Sequence, residues 1–518
     1  MDILKCAALS AVETILLQNP GGSNIQPNFL VFFTLLIIQY VGLKLFDILV
    51  WPFWFSPLRN LPGPKKGNLI FGQVFNLFNS VPGELEKEWM QQHPDAPFIR
   101  YLSVGNVEVL IPTNLNAVKD VLQTNCYAFV KPYYWWRIVG EIAGKGILFL
   151  EGEEHKKQRR LLAGPFSFGN IKGLLPWFDV KAKELSARIL TTLKMSSLLS
   201  CTTLDIVGLA VLGFKLKSLS SSSALADSYQ KIFEIVTPLQ ILITVVNQYL
   251  PVRSWLPLEA NKAYVRANGE VRRILREHIR RRRKEFREGQ FKNEKGSRDL
   301  LGLMIEESKD SYTEEEMLGY LLNFMSAGHE TTAGALTWAL YALTLHPHIQ
   351  TRLRQEINAE VTSPSPTYAE IENLKFLNNF TKEVLRYYPP SPSNARQAAE
   401  DVKIDGVVVP KGTLLTVLSG VQNYNPNIWG PTVNEFDPDR FDNLPKQAQD
   451  PYAFQTFLGG PRICVGKSFA LLEFKTIFIE LVRKFEFENT GKVEPQKAGL
   501  TSKPLGGMKL KITPLESP

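Results

Sequence analysis

This chain is expected to fold as a mainly α-helical protein with small β-sheets, preceded by a single N-terminal transmembrane helix. Three features carry that expectation. Long stretches such as Tyr368–Tyr388 and Val465–Phe485 repeat apolar residues at helical spacing. Short β-rich runs, Phe98–Ile111 and Val402–Val417, supply a minority sheet. Phe29–Leu43 is apolar and uncharged, and the run reaches Trp51 if Lys44 and Asp47 lie near an interface. At about 1.5 Å per residue, Phe29–Trp51 covers roughly 34 Å, enough for a hydrocarbon core of about 30 Å.

The apolar run lies too deep in the chain, and lacks the basic flank, for an ordinary cleaved signal peptide, so it reads as a retained signal-anchor. Asp2, Lys5 and Glu13 precede it, whereas Arg59, Lys65 and Lys66 follow it. The positive-inside rule then makes residues 1–28 a short lumenal segment and 29–51 the span, with everything beyond in the cytoplasm. Residues 52–67 form a Pro/Gly-rich linker ending in Leu61–Gly67 (LPGPKKG), and 68–518 form one catalytic unit in which Ser218–Ser223 is a short loop. The sequon Asn379-Phe380-Thr381 is expected to be bare, on a helix facing the cytoplasm.

Of 518 residues, 44% are hydrophobic and 21% charged, which excludes a disordered or collagenous chain. Cys6, Cys126, Cys201 and Cys464 stand far apart without a CxxC, so neither a disulfide framework nor a zinc ribbon is written here. The net charge is +8, and Arg272–Arg287, with nine basic residues against two Glu, carries +7 of it. That block is one helix with a lone Phe286, which suits a solvated face better than a nucleic-acid surface with stacking aromatics. No nucleic-acid partner is expected.

Thr313 and Glu316 form a capping box that opens a helical pattern lasting to His346-Pro347, about 50 Å of helix. Its flanks are apolar, yet its middle reads Ala327-Gly328-His329-Glu330-Thr331-Thr332. Burying an acid and two hydroxyls there is costly without partners. The bland account is a threonine that bonds back to the preceding turn and bends the helix. His329-Glu330 also begins an HExxH string, but Ala333 stands where the second histidine belongs, which excludes a zinc protease.

The most informative segment is Phe457–Gly466, FLGGPRICVG, running into an apolar helix. Cys464 falls at the first turn of that helix, where orphan N–H groups and Arg462 favour a thiolate. Gly459, Gly460 and Gly466 remove side chains around the sulfur. Gly466-Lys467-Ser468 supplies the end of a P-loop, but Pro461 stands where its first glycine should be. A nucleophilic cysteine needs a base, and no histidine follows in the next fifty residues. A structural cysteine leaves the glycines and arginine unexplained, whereas a thiolate that must admit a flat macrocycle accounts for them.

Phe457-x-x-Gly460-x-Arg462-x-Cys464-x-Gly466 matches the haem-binding signature of the cytochrome P-450 superfamily, and the chain resembles its microsomal, membrane-anchored members, with a fungal lean. The resemblance, which runs from about Leu61 to Pro504, implies the cytochrome P-450 fold, haem b as cofactor and Cys464 as axial ligand to its iron. It implies that Glu330 and Thr331 deliver protons to oxygen over the haem. It also implies that Arg159, Arg396 and Arg462 pair with the haem propionates, while His155 replaces the family's usual tryptophan. Glu383 and Arg386 look like the family's buried ExxR pair, joined by Arg440. By itself that pair is an ordinary helix-surface contact.

The function implied is monooxygenation: one atom of O2 enters a lipophilic small molecule, such as a terpenoid or other secondary metabolite, at the endoplasmic reticulum membrane. No dinucleotide-binding glycine loop is present, so electrons are expected from a separate NADPH-cytochrome P-450 reductase, with cytochrome b5 as a further donor. An O2-independent haem-thiolate isomerase or dehydratase is the rival enzyme, and a haem sensor or electron carrier the rival of another class. Pocket walls are expected at Phe129–Leu150, Phe233–Leu250, Leu321–Ser326, Pro389–Asn394 and Thr501–Leu505.

Overall fold

A computed structural model describes residues 2–18, 28–65, 67–189, 192–219, 224–233, 243, 246–247, 255–256, 258–289, 299–309, 311–491, 493–497 and 501–515. Helices dominate, and the strands gather into small sheets, as the patterns foretold. Within the expected β-rich run, Phe98–Leu102 and Glu108–Pro112 pair as a hairpin, with Phe98 opposite Pro112 and Leu102 opposite Glu108. It extends into a five-stranded sheet through Leu414–Leu418, Ser393–Ala398 and Phe129–Val130. Most of the expected loop at Ser218–Ser223, and most of the expected wall at Phe233–Leu250, lie outside the described residues.

Among the described residues, two helices of 18 residues or more are apolar enough to cross a membrane. Met195–Leu212 is mostly buried in the core, whereas α2 (Phe29–Leu49) has no buried residue, so a core-helix reading does not apply to it. Before α2 lies α1 (Asp2–Gln18), packed along it. The end of α2 is fixed to the sheet rather than tethered: Asn106 Nδ2 donates to the carbonyls of Ile48 at 2.8 Å and Leu69 at 2.7 Å, and Arg100 donates to Pro52 O at 2.6 Å. In the linker, a Cβ on Gly63 would lie 1.9 Å from Arg100 O, so only glycine lets the chain rest on this strand.

The long helix spans Glu314–Leu345, with both halves of the Thr313–Glu316 capping box formed. It runs through the core and packs on Met195–Leu212. The basic helix Glu259–Arg287 leans on its start, where Arg280 pairs with Glu314 and Arg276 with Glu315, so much of the positive block is neutralised within the fold.

Tyr368–Tyr388 does not form one helix. It breaks at Leu374 into Tyr368–Asn373 and Lys375–Tyr387, because the Glu356 carboxylate accepts from the N–H groups of Phe376 and Leu377 and caps a new start. On the second helix Asn379 is buried, its amide bonded to Asp442 at 2.9 Å.

Glu383 and Arg386 are both wholly buried and share two hydrogen bonds of 2.7 Å. Arg440 Nε lies 3.6 Å from the same carboxylate. Arg386 also donates to the carbonyls of Asn423, Val433 and Glu435, which fastens the segment leading to the cysteine loop.

Candidate active site

The loop before Cys464 is held by its own backbone. Cys464 N–H donates to Phe457 O at 2.9 Å, and Leu458 sits at φ +58 within that turn. Gly460, at φ +65, lies so close to the Asp120–Thr124 turn that a Cβ would meet Leu122 O at 2.2 Å, and a Cβ on Gly459 would meet the Tyr452 ring at 2.6 Å. These two glycines therefore serve the docking of the loop on its neighbours. Only Gly466 borders the sulfur, where a Cβ would stand 4.0 Å from Sγ. The space beside the thiol comes from one glycine, not three.

The sulfur opens onto an internal cavity of about 300 Å³. Burial pushes the Cys464 thiol up, while the Gly466 N–H and the charges of Arg159 and Lys467 draw it down. The same cavity is lined by Ala327, Gly328, Thr331 and Thr332 of the long helix, and by Val207, Val211, Leu300, Phe324 and Phe469. Thr331 Oγ1 donates to Ala327 O at 2.6 Å, so the back-bond is present and the hydroxyl still lies on the cavity. Gly328 serves helix packing as well: a Cβ there would sit 2.8 Å from Val207 Cγ2.

Glu330 faces elsewhere. It lines a separate polar crevice of about 380 Å³ with Ser196, Ser200, Cys201, Thr337 and Lys503. Its carboxylate pairs with Lys503 and lies 3.1 Å from His329 Nε2. Burial opposes ionisation, but the His329 contact and the Lys503 charge outweigh it and hold the carboxyl at about 2. Lys503 and Pro504 thus line this crevice, not the cavity that Thr501–Leu505 was expected to wall. Leu148, Phe324, Pro390, Ser391 and Asn394 do line the cavity, from three of the expected walls.

Around Arg462 the chain gathers cations. Arg462 donates to Leu150 O at 3.0 Å and pairs with Glu151, and Lys131 Nζ lies 3.9 Å from that carboxylate. Burial, then the charges of Arg396 and Arg462, push Lys131 well below its usual pKa. Burial and Arg462 lower Arg396 to about 10. Buried His155, bonded through Nδ1 to the Tyr127 hydroxyl at 3.1 Å, is lowered by burial and by the Arg462, Lys131, Arg159 and Arg396 charges to about 4. It is neutral at pH 7, and an Nδ1 that accepts from Tyr127 leaves the N–H on Nε2.

A family model described as cytochrome P-450 matches residues 62–511. The chain belongs to the cytochrome P-450 family. Among similar proteins is the cytochrome P-450 monooxygenase sphH of Aspergillus fumigatus, 31% identical over 91% of both chains. Others are ALT8 of Alternaria alternata, 29% identical over 100% of both, and FUM15 of Gibberella moniliformis, 30% identical over 90% of both. These relatives are fungal and are named monooxygenases, and this cytochrome P-450 is an oxidoreductase of that class.

Family membership implies haem held through a cysteine thiolate, and the residues present fit it. The cationic cluster is under-neutralised: burial first, and then the neighbouring cations, depress Lys131 and Arg396, and Arg462 Nε is buried without a hydrogen-bond partner among the described residues. A group bearing two carboxylates relieves this, and Glu151 already occupies the cluster with one. Lys131 was invisible to motif reading because its neighbours come from four distant segments.

Glu473, on the helix Lys467–Lys484, was also missed. It is fully buried, and neither oxygen has a hydrogen-bond partner among the described residues. Burial pushes its carboxyl well above the usual range, with the nearby Thr332 hydroxyl pulling weakly the other way. A raised folded pKa gives full stability below the unfolded value of 4.5 and loses it as pH rises toward the folded value. Glu473→Gln, neutral at every pH, is therefore expected to match the parent at pH 4 and to exceed it at pH 8 by a margin that grows with pH. Urea melts at both values check this, and identical pH slopes in the two proteins count against a neutral Glu473.

Proposed function

We propose that this chain is a haem b monooxygenase that places one atom of O2 in a lipophilic small molecule, of the terpenoid or other secondary-metabolite class, at the endoplasmic reticulum membrane. Electrons come from a separate NADPH-cytochrome P-450 reductase, with cytochrome b5 as a second donor. A single observation carries the reading: Cys464, Gly328 and Thr331 line one apolar cavity. When bound, the haem supplies the redox chemistry that activates oxygen.

The chain's own residues divide the remaining work. Cys464 would supply the thiolate that holds the haem iron, and Arg159, Arg396, Arg462, Lys131 and His155 would hold the cofactor's carboxylates. Val207, Val211, Leu300 and Phe324 take up an apolar substrate and exclude water. Thr331 holds a hydroxyl at the cavity wall, and Glu330 draws protons from the polar crevice behind it. α2 anchors the protein, with Arg59 and Lys65 on the cytoplasmic side.

A carbon monoxide difference spectrum of the reduced protein tests the ligand, and a histidine-type band in haem-loaded protein overturns the assignment. Thr331→Ala tests the proton role. It is expected to leave haem content intact while product per NADPH falls several-fold and peroxide rises. Unchanged coupling at normal haem content removes Thr331 from catalysis and leaves it only the bending of its helix.

A further inference from the structure

α1 and α2 hide and show the reverse of what a water-soluble helix pair does. α1 buries Cys6, Ser10 and Thr14, spaced four residues apart, and exposes Ile3, Leu4, Leu9, Val12, Ile15, Leu16 and Leu17. In water an apolar stripe turns inward. In lipid, where apolar faces gain nothing by pairing, small and polar residues turn toward the neighbouring helix. The contact between the two helices is polar: Gln39, in the middle of α2, donates through Nε2 to Glu13 at 2.5 Å, and Ser10 Oγ donates to Gln39 Oε1 at 3.3 Å, while Thr14 Oγ1 bonds back within α1 to Ser10 O at 2.7 Å. A glutamine in the middle of a span needs such partners, because lipid offers none.

We propose that α1 is a second membrane-spanning helix, forming with α2 a hairpin clamped by Ser10, Glu13 and Gln39 and surrounded by lipid acyl chains. The proposal rests on α2 being the anchor, and it moves residues 1–18 from the lumenal position expected of them. With 17 residues α1 is about 25 Å long, against an endoplasmic reticulum hydrocarbon core of about 27 Å. Lys5, one turn from its start, reaches the interface along its own stem. In sequence, residues 19–28, NPGGSNIQPN, are polar and rich in Pro and Gly, too short and too polar to form a further membrane crossing. The two helices are therefore antiparallel. Charge agrees: the connection has none, while Lys5 in the first turn of α1 and Arg59 and Lys65 after α2 mark one cytoplasmic face.

The test places an Asn-x-Thr glycosylation acceptor, in a spacer long enough to reach the lumenal transferase, at two positions of the full chain in microsomes: before Asp2, and between Pro20 and Asn28. The hairpin predicts that the second acceptor is glycosylated, and that the first stays bare and is removed by protease added to sealed vesicles. Glycosylation of the first acceptor, or a bare second one, overturns the hairpin. Release of the whole chain by alkaline carbonate washing instead overturns the anchor on which it rests. Neither result bears on the carbon monoxide spectrum, so failure here is distinguishable from failure of the monooxygenase reading.

Discussion

Cys464→Ser is expected to abolish the thiolate-type carbon monoxide spectrum and reduce activity to background, while the haem-free fold survives. The sulfur opens onto the cavity and the loop is held by backbone contacts, Cys464 N–H to Phe457 O above all, so the nearly isosteric serine disturbs no packing. A change of about 0.5 kcal/mol or less in stability is appropriate for such a position. The chemistry differs in kind. Burial raises the thiol's pKa, and Gly466 N–H, Arg159 and Lys467 offset it only in part, so the thiolate forms as the metal displaces its proton. A serine hydroxyl titrates far higher and stays neutral at working pH, which removes the anionic donor. Circular dichroism, a denaturant melt and the reduced spectrum on one preparation separate the two effects. A retained thiolate-type band in the serine variant would falsify the ligand assignment.

What the sequence made legible is what local pattern encodes. The Thr313–Glu316 capping box sits within four residues, the Phe98–Ile111 run is rich in strand-forming residues, and the Phe457–Gly466 signature is contiguous, so each could be read before any contact was known. The misreadings share the opposite property. The helix break at Leu374 is imposed by Glu356 from another helix, and Gly460 answers to Leu122, far off in the chain. Glu330 and Thr331 are neighbours in sequence, yet about 100° of helical turn sends one to the crevice and the other to the cavity. Glu473 did leave a signal. A helix apolar on nearly every face but carrying a glutamate in its middle announces a buried acid, and that inference was available from the residues alone.

Arg386→Leu is expected to be the most damaging single substitution, costing about 3–5 kcal/mol and preventing stable haem retention, because it leaves a wholly buried carboxylate with only the more distant Arg440, 3.6 Å away, as counter-charge. Arg386 spends five donor contacts: two on Glu383, and one each on the carbonyls of Asn423, Val433 and Glu435. Lysine cannot reproduce that planar fork, so Arg386→Lys is expected to fall close to the leucine variant. The damage travels a short, continuous path. Asn423 also accepts from Gln455 N–H at 3.1 Å and donates to Thr456 Oγ1 at 3.2 Å, one residue before Phe457, whose carbonyl holds Cys464. Removing Glu383 together with Arg386 takes away both charges, so Glu383→Leu/Arg386→Leu is expected to be less destabilised than the sum of the single changes. Denaturant melts of the haem-free proteins measure this cycle without reference to the cofactor, and haem titration then follows the loop. Strict additivity, or a lysine variant with the parent's midpoint, would show that the pair behaves as the surface contact its helix spacing alone suggests.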